Sequence, residues 1–207
     1  MCYHMCRKSG PALVDESKFS RIMRLFYFSK REFNMIIEKQ IQKDSYKPRF
    51  CKVNKRYIQF MHKIDSRVSV KYNNRPFVIL TIYINNNLYA VPLTSTTNRD
   101  RLAAGKKPRS NLITTKIIVQ NVEIADLLYN NMFPVIESVL TDLHFNPLVD
   151  TFEINEERFI RKNWGKINAK AMSVYLMRYN TEGRNYHLLN KLCCDFKELE
   201  KSVSSFV

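Results

Sequence analysis

The longest apolar run of the chain is Phe77-Val-Ile-Leu-Thr-Ile-Tyr-Ile84, and it constrains the fold more than any other feature. Its β-branched and aromatic content favours a strand covered on both faces. Asn85-Asn86-Asn87 follows. Asn tolerates positive φ better than other non-glycine residues, so the chain is expected to turn there. Leu88-Tyr-Ala-Val-Pro-Leu93 then returns as the partner strand of a β-hairpin. Pro92 has no N–H to give to a ladder, so this strand end is expected to be an edge or to leave the sheet. The run is far shorter than the ~18 residues of a membrane-spanning helix.

Other elements arrange themselves around this hairpin. Phe50 to Val53 reads as a short strand, and Asn54 as the N-cap of a helix from Lys55 to about Asp65. Tyr57, Phe60, Met61 and Ile64 share one face of that helix, leaving Lys55, Arg56 and Lys63 for solvent or ligand. Asp65 and Arg67 are expected to brace its end. Asn73-Asn74 marks a turn, and Arg75-Pro76 opens the hairpin. Thr94 to Asn111 reads as a long polar loop, a kind of segment that is usually functional or disordered. Leu112–Val119, Val122–Tyr129 and Val135–Leu140 read as strands, the last two separated by Asn130-Asn131 and Pro134. Asn155 to Tyr179 and Tyr186 to Val203 each carry one apolar stripe at helical spacing, including Phe159, Ile160, Ile167, Ala171, Leu188, Leu192 and Leu199. Trp164 beside Gly165 fits a packing contact better than a base contact. The pattern is that of an α+β domain over residues 50–207. Residues 1–49 form a basic N-terminal extension of helical periodicity, either a helical pair on the main body or an arm along RNA. Translation from Met35 is a third possibility.

Charge narrows the function. The chain of 207 residues has a formal net charge of +15. Residues 51–110 hold twelve basic side chains against only Asp65 and Asp100, whereas residues 111–207 are almost balanced. A segment so poor in carboxylates is suited to a polyanion, and nucleic acid is the expected partner. A membrane surface fits less well, because the cations do not lie along one amphipathic helix. No helix-turn-helix pattern occurs in the basic half, which weakens a DNA-binding reading. The four glycines are scattered, excluding a P-loop or a Rossmann phosphate loop. Five cysteines, two of them adjacent, fit a reducing cytoplasm rather than a disulfide scaffold. The N-terminus lacks the apolar stretch of a secretory signal. Cys2-x-His4-x-Cys6 is half of a metal site without a second ligand pair, and no metal or cofactor is expected.

Tyr57-Ile58, Asp65-Ser-Arg-Val68, Arg75-Pro-Phe-Val78, Tyr89-Ala-Val-Pro-Leu-Thr-Ser95 and Asn130-Asn-Met-Phe-Pro-Val135, taken in order, resemble the ToxN/AbiQ endoribonuclease toxins of type III toxin–antitoxin systems. Glu156 to Met172 is similar to the family's long C-terminal helix. The resemblance covers about residues 50–203. It implies a compact, strongly twisted antiparallel sheet like the MazF/Kid barrel, with helices packed around it. It also implies an antitoxin made of RNA, a short pseudoknot repeat that the toxin processes and that inhibits it. Closed toxin–RNA assemblies and phage defence by abortive infection complete the family picture.

The resemblance further implies a site made of Arg75, Thr94 and Ser95, with a Lys two residues after the Ser. If the turn lies at Asn85–Asn87, a hairpin brings Arg75 and Thr94–Ser95 together. RNA can be cut without metal when its own 2′-OH attacks the adjacent phosphate, provided the site aligns the nucleophile and stabilises the added charge. Arg and hydroxyl donors at a strand end suit that task. The expected Lys is absent, however, and Thr97 stands in its place. Either Arg99 or Arg101 supplies the charge, as a phosphate ligand but a poor base, or the protein binds RNA with little or no cleavage. Ser95 also has a plain reading as a turn hydroxyl. Lys55, Arg56, Lys71, Tyr72, Arg101, Lys106, Lys107 and Arg109 are the candidate RNA contacts, although Lys71 and Tyr72 fit an exposed loop equally well.

Overall fold

The computed structural model describes residues 48–70, 77–84 and 87–206. The apolar run is indeed the strand β2 (Phe77–Ile84), and β3 (Asn87–Thr94) returns antiparallel to it from Ile84↔Asn87 to Phe77↔Pro92. A register irregularity falls between Leu80 and Tyr83. β1 (Arg49–Val53) pairs with the other flank of β2, and the short β7 (Leu140–Asp142) pairs with β1. On the far side, β4 (Thr114–Val119) and β5 (Val122–Leu128) form a second hairpin. Its turn residues Gln120 and Asn121 have φ of 48° and 63°. Both central positions are thus left-handed, the geometry that matches the twist of a two-residue hairpin.

β3 joins the two halves. Its outer flank pairs first with β6 (Phe133–Val135) through Leu88–Ala90 and then with β5 through Leu93 and Thr94. The strand path is therefore β4-β5-β3-β2-β1-β7, with β6 alongside β3. Among the described residues no ladder joins β4 to β7, so this path is open. Pro92 corrects the edge-strand expectation: β3 continues to Thr94, and Pro92 sits at the gap where β6 has ended and β5 has not begun. A residue without an N–H is tolerated where one flank has no partner strand. Pro134 likewise lies inside β6 rather than between strands. The expected strand Val135–Leu140 is instead the end of β6, a 3₁₀ turn at Glu137–Val139 and the start of β7.

Helix α1 (Lys55–Ile64) starts as expected, with the Asn54 side chain accepting from the Arg56 N–H at 2.8 Å. Tyr57, Ile58 and Met61 are buried beneath it, and the Tyr57 hydroxyl donates to the Pro134 carbonyl at 2.8 Å. At its C-terminus Asp65 accepts from the backbone N–H of Arg67 and from its guanidinium, and also from the backbone N–H of Asp195 at 2.6 Å. Burial alone would raise the Asp65 carboxyl. Arg67 and these backbone donors outweigh it and hold the pKa below the ordinary value.

The two C-terminal stripes are each divided. Helix α3 (Thr151–Lys162) ends at Asn163, whose N–H donates to the Phe159 and Ile160 carbonyls and whose Nδ2 donates to Phe159 as well. Helix α4 (Trp164–Tyr179) follows at once, the Ile167 N–H donating to the Asn163 carbonyl at 3.0 Å. Helices α5 (Tyr186–Leu192) and α6 (Phe196–Ser202) are separated at Cys193–Asp195, where the Cys194 N–H leaves the helix to donate to the Asn130 carbonyl. Ile160, Ile167, Ala171, Leu189, Phe196 and Leu199 are buried as the stripes require, but Leu188 is 44% exposed. Its α5 is only two turns long, too short to cover the whole stripe. Tyr175 and Phe196 stack at 5.6 Å between centroids, and the Tyr89 hydroxyl donates to Glu200 beneath α6. Trp164 packs against the core as the sequence suggests.

Glu156, on α3, is 3% exposed, and burial with the nearby Glu153 pushes its carboxyl up to about 7. The fold favours the protonated form, so this group's stabilisation is full below the unfolded pKa and is lost as pH rises through the folded one. Between about pH 5 and 8, chemical unfolding should therefore register a loss on the order of 2 kcal/mol from Glu156. Glu156→Gln should flatten that part of the profile. An unchanged slope in the variant would refute the assignment.

Candidate active site

The chain leaves β3 at Thr94, which is buried and lies directly across from Asp126 of β5. The Thr94 Oγ1 accepts from the Thr96 N–H at 3.3 Å. Ser95 between them is exposed. What the sequence presents as a long polar loop contains a helix, α2 (Asn98–Ala103). Thr97 is its N-cap: Thr97 Oγ1 accepts from the Asp100 N–H, and Asp100 Oδ2 accepts from the Thr97 N–H at 2.7 Å. This reciprocal capping box satisfies two donors that an uncapped helix would leave exposed. The same backbone and hydroxyl donors of Thr97 lower the Asp100 pKa. Gly105, with φ of +66°, ends the helix, and the Lys106 N–H closes back on the Arg101 carbonyl at 2.8 Å.

The returning segment is tied beneath this turn. The Arg109 N–H donates to Asn98 Oδ1 at 2.7 Å, and Arg109 Nη1 donates both to the Thr96 carbonyl at 2.7 Å and to Asp126 Oδ2 at 3.0 Å. The Asn98 N–H in turn donates to Glu123 Oε1 at 2.7 Å, and Glu123 pairs with Lys116. Burial would raise Glu123, but the Asn98 donor and Lys116 together lower its pKa. At Asp126 the balance is reversed: burial dominates and raises its pKa despite Arg109.

The expected site residues divide by position. Ser95 and Arg99 are exposed near the end of the shared strand, with Lys106 and Lys107 on the same connecting segment. Arg101 is partly buried and donates from Nε to the Lys107 carbonyl at 2.9 Å. Arg109 is turned inward. Lys55 and Arg56 occupy the exposed face of α1. Lys71, Tyr72 and Arg75 lie outside the described residues, as does Cys2-x-His4-x-Cys6; the backbone shows only that Phe77, two residues after Arg75, lies opposite Pro92. Sequence reasoning missed Asp126 and Glu123 as organisers of the turn, and Thr97 as a cap. The signals were present: Thr97 to Asp100 has capping-box spacing, and Asp126 is the one carboxylate within the apolar stretch Ile124–Leu128.

The family model for "Toxin ToxN, type III toxin-antitoxin system" matches residues 49–204, so this chain belongs to the ToxN family. The endoribonuclease ToxN of Bacillus thuringiensis subsp. kurstaki is 25% identical over 172 residues, covering 77% of this chain and 84% of the relative. The endoribonuclease AbiQ of Lactococcus lactis subsp. lactis is 29% identical over 166 residues, covering 76% and 88%. Two solved structures share the fold. A type III toxin inhibited by a non-coding RNA pseudoknot superposes with a TM-score of 0.68 at 24% identity. AbiQ, a lactococcal anti-phage endoribonuclease, does so with 0.64 at 26%. Each covers 77% of this chain, and 98% of each solved chain is matched.

Because Thr97 is 8% exposed and caps α2, it is not an open position where a longer side chain can be added without loss. Thr97→Ala and Thr97→Lys should each cost about 1 kcal/mol in denaturant unfolding, and Thr97→Ser much less. Equal stability of the Ala and Ser variants would remove the cap from the account.

Proposed function

We propose that this chain is an endoribonuclease toxin of a type III toxin–antitoxin system that cuts single-stranded RNA and is restrained by a small structured antitoxin RNA. The match of the ToxN family model over residues 49–204 carries this reading, and both relatives named above are endoribonucleases. Phage defence by abortive infection is the biological setting that AbiQ, an anti-phage enzyme, supports. The antitoxin is a pseudoknot repeat processed by the toxin and held with it in a closed assembly. We place the pair in the cytoplasm; among the described residues no helix is long and apolar enough to cross a membrane. Residues 1–49 are a basic extension to a catalytic domain over 50–207. The twisted antiparallel sheet is related to that of MazF and Kid.

The reaction needs no metal. The substrate's 2′-OH loses its proton to solvent and attacks the adjacent phosphorus, the bond to the 5′-oxygen breaks as that oxygen takes up a proton, and a 2′,3′-cyclic phosphate and a 5′-OH remain. Ser95 offers a hydroxyl one residue beyond the rung that ties Thr94 to β5, and Thr94 fixes the turn beneath it. Arg75 and Arg99 supply positive charge to the phosphorane, where charge-assisted donors act most strongly. Lys55, Arg56, Lys71, Arg101, Lys106 and Lys107 hold the RNA backbone, and Tyr72 stacks on a base. Arg99 or Arg101 takes over the charge of the family's Lys, but neither replaces it as a base, because guanidinium stays protonated. The engagement of Thr97 in its cap favours a second reading, an RNA-binding protein with weak cleavage.

Incubation of a mixed single-stranded RNA pool in EDTA distinguishes the two. The wild type is expected to leave cyclic-phosphate ends, and Ser95→Ala and Arg75→Ala to reduce cleavage at least ~100-fold, the scale of losing one transition-state donor. Salt-sensitive binding without cleavage would establish the second reading instead.

A further inference from the structure

Ser95 stands one residue beyond the last rung of a ladder, and an exposed hydroxyl in such a place is useful only if its backbone is fixed. The ladder fixes Thr94 through its pairing with Asp126. On the other side of Ser95, the Thr96 carbonyl is held by Arg109 Nη1, and the same nitrogen is held by Asp126 Oδ2. Asp126 is fully buried, and its Oδ1 has no hydrogen-bond partner among the described residues. A buried carboxylate so sparsely satisfied is costly to the fold unless its paired cation is also held in place.

We propose that Asp126 and Arg109 form a positioning pair that sets the Thr94–Thr96 turn, and with it the Ser95 hydroxyl, without touching RNA. This rests on the assignment of Ser95 to the active site. Arg109 leaves the set of RNA contacts and becomes part of the site's foundation: its main chain is anchored to Asn98 at the start of α2, and its guanidinium crosses beneath the turn to β5. Two strands and a helix are thereby tied to a single residue, Thr96, next to Ser95. Displacing a positioned group by about 1 Å can lower a rate 100-fold. A pair acting only in this way changes turnover and leaves the affinity for RNA alone.

Asp126→Asn, Arg109→Lys, the double variant and Ser95→Ala should be compared on a fluorescent single-stranded RNA of mixed sequence, with apparent kcat, KM and the salt dependence of binding measured for each. Asp126→Asn and Arg109→Lys are each expected to lower kcat by about 10- to 100-fold. KM should stay within about twofold, the salt slope should be unchanged, and the double variant should be little worse than either single one. Arg109→Lys keeps the buried charge, so it supports the test if Asp126→Asn does not fold. Wild-type kcat in both variants would overturn the proposal. So would a raised KM with a salt slope lower by about 1, the mark of a lost phosphate contact. Loss of cleavage in these variants but not in Ser95→Ala would instead overturn the assignment of Ser95.

Discussion

The pairing of β3 on both of its flanks is the interaction on which the rest of this structure depends. One side of the strand runs along β2 from Asn87 to Pro92, and the other is shared in succession by β6 and β5. Tyr89 to Thr94 are all buried. Because β6 leads to the β1–β7 edge and β5 belongs to the second hairpin, β3 is the only described element that holds the two parts of the sheet in register. The exposed Ser95 follows directly from its last rung. A site at the end of a strand clamped in this way inherits the rigidity of the sheet, whereas the same hydroxyl on a free loop would not.

A second set of constraints fixes the helical side. The Asp65 carboxylate ends α1, pairs with Arg67 and accepts the Asp195 N–H, which begins α6. Arg67 Nη1 continues to the Asn190 carbonyl of α5, and the Arg67 carbonyl accepts from Asn131, near β6. Helix ends carry unsatisfied backbone groups, and here one helix's terminal carboxylate supplies the partner another helix needs. The break between α5 and α6 is a consequence: the Cys194 and Asp195 amides turn outward from the helical ladder to Asn130 and Asp65.

The sequence reading was most successful where one local rule governs. Apolar content located β2, β-hairpin chemistry located its return, and Asn54 announced α1. It failed where two rules compete. The stripe from Asn155 to Tyr179 has uninterrupted helical spacing, but at Asn163 a side-chain amide competes for the Phe159 carbonyl and ends α3. Pro92 and Pro134 both suggest strand ends, and both lie inside strands because what matters for proline is the partner strand's position, which no single segment encodes. The Thr94–Asn111 segment hides its helix for another reason. Its hydroxyls and charges suggest a loop, while the informative residues are only Thr97 and Asp100. Thr94 and Ser95 were singled out only through the family resemblance, and the structure places them at the end of β3. The link from Arg109 to Asp126 was not legible, because it spans elements whose packing the sequence does not state.

Sorting the cations by their partners changes what the net charge means. Within the basic half, Arg67 is spent on Asp65 and Arg109 on Asp126, both inside the fold. Lys55, Arg56, Arg99, Lys106 and Lys107 are exposed and form no ion pair among the described residues. Exposed cations of this kind can release counterions from a polyanion, whereas a cation already neutralised within the protein gains little from a phosphate. Arg67 meets Asp65 through two nitrogens and Arg109 divides one nitrogen between Thr96 and Asp126, whereas the exposed set mixes Lys with Arg. That division follows from the chemistry of the two side chains: the guanidinium fork rewards fixed geometry, and a flexible ammonium suits a strand that moves through the site.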